Sequence, residues 1–176
     1  MVKQKIIDKI YRIRYNHIMK IETKNKYELL LLKNQLCFPM YSATNTIVNN
    51  YRPLLKDIDL TYTQYIVMMV VWEKKKLNEK DIVNALFLKS NTIAPLIKKL
   101  EKKGLITIKQ DSIDRRNIII EITKKGKELK ERAVEIPIKY GEHFPLTSKE
   151  VTALKEMLNK IVNWKISNYK KNIRRL

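Results

Sequence analysis

One cysteine, two histidines and three glycines are all that a chain of 176 residues contains of those types. The single thiol, Cys37, excludes an internal disulfide; any disulfide joins it to a second chain or to a small thiol, and a reducing, cytoplasmic setting is expected. With His17 and His143 isolated and one cysteine present, a zinc cluster is out of reach, and neither a metal nor another cofactor is expected. Three glycines and five prolines leave no Gly-rich phosphate loop and no long flexible linker. No apolar run approaches the roughly 18 residues of a membrane span, since Leu29 to Leu32 is flanked by Glu28 and Lys33. The first twenty residues are basic but lack the apolar core of a signal peptide. Carboxylates such as Glu73 and Glu79 show no acid–base pairing, so an enzyme reading survives only as a thiol peroxidase built on Cys37.

Acidic residues are also scarce. Lys and Arg number 37 against 18 Asp and Glu, a formal net charge of +19. Each cation set against a phosphate releases condensed counterions, so nucleic acid is the first partner to consider. Abundant Lys, Ile and Asn with little Arg and Gly point to an AT-rich coding bias as well. The length is one domain's worth, enough to bury a core without disulfides or metals.

Periodicity predicts a mostly helical chain. Residues 1–18 read as a basic, partly amphipathic extension, after which Met19 is itself a potential start. Residues 26–50 read as one helix, with Leu29, Leu32, Leu36, Met40, Ala43 and Ile47 recurring at three and four, bent by Pro39 beside Cys37. After Pro53 and a polar turn, Thr61 is placed to cap a helix carrying Tyr65, Met68, Met69 and Trp72. Asn78 with Asp81 starts a short helix, and Ser90 or Asn91 caps the next, which runs to Lys103 with Ile93, Leu96, Ile97 and Leu100 inward and Gly104 as its left-handed terminator. Two short helices in tight succession make a helix-turn-helix. Leu105, Ile106 and Ile108, the loop QDSIDRRN, and alternating Ile118, Ile120 and Ile122 then read as a two-stranded hairpin with a charged tip. Thr123 caps a helix that Pro137 ends, and a last helix starts near Thr147 with Val151, Leu154, Leu158, Ile161 and Val162 as its stripe, before the basic tail NYKKNIRRL. Helix-turn-helix plus basic hairpin is a winged helix: mostly α, with a small β-hairpin wing.

The stretches NQLCFPMYSA (34–43), YRPLL (51–55), LTYTQYIVMMVVWE (60–73), LFLKSNTIAPLIKKLEKKGLI (86–106) and DRRNIIIEIT (114–123) together resemble the MarR family of bacterial transcription regulators, and within it the organic-hydroperoxide sensors and their staphylococcal relatives. The resemblance runs from about Asn34 to Pro137, with a weaker echo in the final helix. It implies a homodimer, a repressor of transcription, whose first and last helices interleave while two winged-helix lobes read a palindrome in double-stranded DNA. Four parts are expected: the extension 1–18, a dimerising helix with the sensing cysteine in 19–58, the DNA-binding winged helix in 59–123, and C-terminal dimerisation helices in 124–176.

Carried over by position, the redox-sensing thiol is Cys37 and its tyrosines are Tyr41, Tyr51 and Tyr62. Phenol O–H groups that donate to a thiolate favour the nucleophile that attacks a peroxide. The other reading of each is ordinary: Cys37 as a small buried hydrophobe, the tyrosines as core or interface aromatics. The DNA-binding set is Lys89, Ser90, Asn91, Thr92, Pro95, Lys98 and Lys99 at the second helix and Arg115 and Arg116 at the wing, braced by Asp114; Lys102 and Lys103 read as a solvated face. Pro39, Lys89 and Asn91 depart from the family pattern, the first bearing on sensing and the other two on sequence preference. An oxidant and a small-molecule thiol are the further partners implied, and no membrane. A regulator released by a small phenolic ligand, held between dimer helices and DNA lobes, is the other function class.

Overall fold

The computed structural model describes residues 25–111 and 117–164. The basic extension 1–18, Met19, the wing-tip residues Asp114, Arg115 and Arg116, and the tail NYKKNIRRL lie outside the described residues. The chain divides into two compact units: residues up to Ala43 together with those from Pro145, and Thr44–Phe144.

Residues 26–50 are not one helix. Lys26–Leu30 and Leu32–Asn34 are two 3-10 turns separated by Leu31, whose backbone is extended (φ −65°, ψ 132°). The reason lies in the polar side chains that follow. Asn34 Nδ2 donates to the carbonyl of Glu28 at 2.8 Å, and the Gln35 amide donates to that of Leu29. Those are the carbonyls that the amides of Leu32 and Lys33 would use in an α-helix, so local side-chain bonds displace the helix. Helix α1 (Cys37–Lys56) starts at the cysteine itself. Pro39 is its third residue, in the first turn, where an N–H has no intrahelical acceptor, so the expected kink is absent. The helix runs past residue 50, where it was expected to stop, so Pro53, expected in the connection that follows, lies inside it.

Helix α2 (Tyr62–Lys74) opens with a reciprocal cap. Gln64 N–H donates to Thr61 Oγ1 at 3.3 Å and Thr61 N–H to Gln64 Oε1 at 3.0 Å, satisfying two end donors at once. Strand β1 (Lys76–Asn78) was not visible in the sequence. It pairs antiparallel with β3 (Ile118–Ile122), which also pairs with β2 (Ile106–Gln110), so the expected hairpin is a three-stranded sheet in the order β1-β3-β2. Three residues, KLN, are too few to display a period of two.

Helix α3 (Glu79–Leu86) carries the Asn78/Asp81 capping box and ends on Phe87, a left-handed residue at φ 53°. Helix α4 (Ser90–Lys102) follows; Lys89 precedes it with no side-chain cap, where Ser90 or Asn91 had been expected to cap. Gly104 terminates it at φ 71°, its N–H bonded to Glu101 O at 2.7 Å, a conformation glycine adopts without strain. Thr123 caps α5 (Lys124–Ala133) through Gly126 N–H. Pro137 does not end that helix; it occupies the first turn of a separate helix, α6 (Glu135–Glu142). In the other unit, α7 (Ser148–Val162) begins on the Thr147/Glu150 capping box.

The core belongs to the Thr44–Phe144 unit. Leu55, Met68, Ile82, Ile93, Ile97, Leu100, Ile106 and Ile120 are fully buried, each contributing roughly 1.5–3 kcal/mol by removal from water. Trp72 Nε1 donates to Gly126 O at 2.8 Å, tying α2 to the start of α5. A Cβ on Gly126 would stand 2.2 Å from Leu105 O and 2.9 Å from Ile122 Cγ1, so only glycine fits between the sheet and α5. In the other unit α7 has no buried residue.

Candidate DNA-reading helix and tyrosine cluster

Helix α4 has two faces. Ile93, Ile97 and Leu100 are buried at a spacing of three and four, and they hold the helix against α2 and α3. The same spacing turns Ser90, Asn91, Thr92, Pro95, Lys98 and Lys99 outward, all of them exposed, with Lys89 exposed just before them. The sequence therefore set both faces correctly: short polar groups at the N-terminal end, cations further along.

Lys103, expected as solvated face, is instead bound. Its Nζ makes an ion pair with Asp59 Oδ2 at 2.8 Å and also donates to Asp59 O. Asp59 occupies the left-handed region at φ 52°, so this cation at the end of α4 braces the strained turn between α1 and α2. An Arg132 N–H donates to Asp57 O in the same turn. Lys102 is exposed as expected.

The four candidate sensing residues fall in both units. Cys37 and Tyr41 belong to the one that ends at Ala43, and both are exposed; Tyr41 is 66 % exposed. Tyr51 and Tyr62 belong to the other, where they meet edge-on with ring centroids 5.3 Å apart. They do so within a larger group than the sequence predicted. Tyr140, from α6, stacks on Tyr51 at 4.2 Å, and Tyr65 lies 6.2 Å from Tyr51 and 6.1 Å from Trp72. Tyr65 was legible as the i+3 neighbour of Tyr62. Tyr140 carried no local signal.

Clustering phenols has an electrostatic consequence. Burial, and then the neighbouring Tyr65, Tyr62 and Tyr140, push the Tyr51 hydroxyl up to about 12. Tyr65 and Tyr140 are raised as well, again mainly by burial. Desolvation and like charge both disfavour a phenolate, so Tyr51 holds its proton to a higher pH than an ordinary tyrosine, which is itself protonated at neutral pH. Beside the cluster a crevice of about 760 Å³ opens between α1 and α2, lined by Val48, Arg52, Tyr62, Gln64 and Lys103 among others.

Among the described residues no three His, Cys, Asp or Glu side chains are placed to hold a metal ion, and no helix is long and apolar enough to cross a membrane.

A helix-turn-helix of α3 and α4 followed by the β2–β3 hairpin defines a winged-helix regulator. The family model for the transcriptional regulator SarA/Rot matches residues 49–133. The chain is 40% identical over 114 residues to the organic hydroperoxide resistance transcriptional regulator of Bacillus subtilis, covering 65% of this chain and 78% of that one. It is 42% identical over 132 residues to the HTH-type transcriptional regulator SarZ of Staphylococcus saprophyticus, covering 75% and 90%. The fold superimposes on that of AbfR of Staphylococcus epidermidis, solved reduced and bound to DNA, with a TM-score of 0.66 and 30% identity over 78% of this chain and 96% of that one. The chain belongs to the MarR family of transcriptional regulators, alongside the organic hydroperoxide resistance regulator and SarZ.

Proposed function

We propose that the protein is a homodimeric, cytoplasmic repressor that holds a palindromic DNA operator while Cys37 is reduced and releases it when an organic hydroperoxide oxidises that thiol. The observation that carries the reading is the tyrosine cluster: Tyr51 and Tyr62, which match the family's sensing tyrosines, lie together with ring centroids 5.3 Å apart. A protonated phenol is the donor that a thiolate and a departing alkoxide need. In the reaction the Cys37 thiolate attacks the distal oxygen of the peroxide, an S–O bond forms, and the O–O bond breaks. The alkoxide leaves and takes up a proton as alcohol. Sulfur loses two electrons and becomes a sulfenic acid. A small thiol then condenses with it, giving a mixed disulfide and water. One event per signal suffices, so no catalytic turnover is required of the protein.

DNA binding on this reading uses α4 in the major groove, with Ser90, Asn91, Thr92 and Pro95 toward the bases, Lys89, Lys98 and Lys99 toward phosphates, and the wing residues Arg115 and Arg116, steadied by Asp114, in the minor groove. Dimerisation uses the N- and C-terminal segments. Leu30, Leu36 and Phe38, and Leu154, Met157 and Ile161 on α7, are all at least 40% exposed in the single chain, an apolar surface that a second copy would cover. Polar bulk introduced at Cys37 strains that junction. A loss of about 3 kcal/mol lowers DNA affinity roughly a hundredfold.

The test is fluorescence anisotropy of labelled operator DNA before and after an organic hydroperoxide and a small thiol. The wild type releases the DNA; Cys37→Ser binds as tightly but holds on, and Tyr51→Phe reacts more slowly. Release by Cys37→Ser would overturn the redox reading. It would favour the second one, a regulator answering a small phenolic ligand, which the crevice beside Tyr62 supports.

A further inference from the structure

Strand β3 places one carboxylate, Glu121, on the same sheet face as two lysines, Lys76 and Lys109. In the register of the sheet Glu121 faces Lys76 of β1 and Thr107 of β2, and Lys109 faces Ile119, two residues along β3. Residues two apart share a face, so Lys76, Lys109 and Glu121 stand on the side opposite the buried Leu77 and Ile120. Glu121 takes both cations: Lys76 Nζ at 2.9 Å from Oε1 and Lys109 Nζ at 3.4 Å from Oε2. Hydrogen bonds from Lys76 and then Lys109 hold its carboxyl below the usual range. The Lys109 ammonium is thereby drawn toward the Ile106–Ile122 end of the hairpin, away from the Gln110–Ile118 end that leads into the wing.

A protein of net charge +19 binds any duplex through counterion release, and this sequence-independent affinity competes with recognition. We infer that Glu121 sets the sequence-independent part of the DNA affinity: by holding Lys109, and with it Lys76, it withholds cations from the DNA backbone and lowers affinity for any duplex while leaving base reading by α4 untouched. The inference rests on the DNA-binding reading. Both lysines remain about two-thirds exposed at the side chain, so they are restrained by the carboxylate and not by packing, and a single substitution frees them.

The test compares wild type, Glu121→Gln, Lys109→Ala and the double variant on two probes: a short mixed-sequence duplex, and a duplex selected by the wild type from a random pool. Affinity is followed against salt. Glu121→Gln is expected to steepen the slope of log affinity against log salt by about 0.9, the value for one added phosphate contact, and to raise mixed-sequence affinity about eightfold at 0.1 M salt. The ratio of selected to mixed-sequence affinity stays flat, as expected of a contact to phosphate and not to a base, and Lys109→Ala in the Glu121→Gln background removes most of the gain. An unchanged slope and unchanged mixed-sequence affinity in Glu121→Gln, with circular dichroism showing a native fold, would overturn the inference, as would weaker binding. A wild type that shows no salt-dependent DNA binding on either probe would instead sink the DNA-binding reading beneath it.

Discussion

Tyr140 lies stacked on Tyr51, ring centroids 4.2 Å apart and planes 21° from parallel, although the two residues come from opposite ends of the winged-helix unit. The contact makes Tyr51 the hub of a phenol cluster: it has Tyr62 edge-on, Tyr65 tilted beside it and Tyr140 over one face. Offset stacking of this kind contributes about 0.5–1.5 kcal/mol beyond the area buried. It also fixes the direction of the Tyr51 ring, and with it the hydroxyl that the proposed chemistry uses.

The raised Tyr51 pKa sets a pH dependence of stability. The folded value of about 12 lies above the ordinary 10.0, so the unfolded chain loses the phenol proton first. Stability from this group is fully present below pH 10 and is lost as pH rises from about 10 toward 12. Denaturant melts at pH 8, 10 and 11 should show a decline that Tyr51→Phe lessens. Ultraviolet titration of the native protein should show a late-ionising phenol that disappears in the same variant. A Tyr51→Phe protein with an unchanged alkaline decline and an unchanged late titration would refute the assignment.

Gly126 is the steric hinge pin of the fold. Its carbonyl accepts from Trp72 Nε1, its N–H donates to Thr123 Oγ1 at 3.0 Å, and a Cβ would meet backbone at 2.2 Å. Gly126→Ala must displace either Leu105 or the first turn of α5, so the expected loss is at the upper end of the ~1–3 kcal/mol typical of overpacking. Helix propensity alone would make the same change favourable by up to about 1 kcal/mol, so the two effects have opposite signs and urea denaturation decides. A stabilised Gly126→Ala protein would mean that the close approach relaxes at no cost.

Most of the winged helix was legible because its signals are local. Thr61, Asn78, Thr123 and Thr147 cap the helices expected of them, Gly104 turns left-handed, and the isoleucines at 118, 120 and 122 alternate as a strand. What failed depends on partners distant in sequence or on side-chain competition. Strand β1 is defined by its pairing with β3, not by its own three residues. Residues 26–34 follow the polar bonds of Asn34 and Gln35 and ignore the apolar stripe. Prolines misled in two ways: Pro39 and Pro137 sit in first turns, where a missing N–H is harmless, and Pro53 is tolerated inside a helix whose neighbours Leu54 and Leu55 are packed. At the site, Tyr51 and Tyr62 were named by family resemblance; Tyr140, Lys103 and Glu121 needed the third dimension.

The two faces of α4 make the final prediction. Asn91 and Thr92 are exposed near its start, where short side chains are able to reach base edges, and Thr92 Oγ1 donates to Asn91 Oδ1 at 3.4 Å. Lys98 and Lys99 are exposed later along the helix, where a long cation suits a phosphate. Base contacts carry sequence information and phosphate contacts do not. Asn91→Ala and Thr92→Ala should therefore shift which bases are preferred, by about 1–3 kcal/mol at a given operator position. Lys99→Ala should weaken all sequences alike and lower the salt slope by about one unit. The measurement is selection from a random duplex pool with each variant, followed by salt titration of the selected and mixed-sequence probes. Equal, sequence-independent losses for all three variants would show that α4 does not read bases, and the reading surface would have to be sought elsewhere on the winged helix.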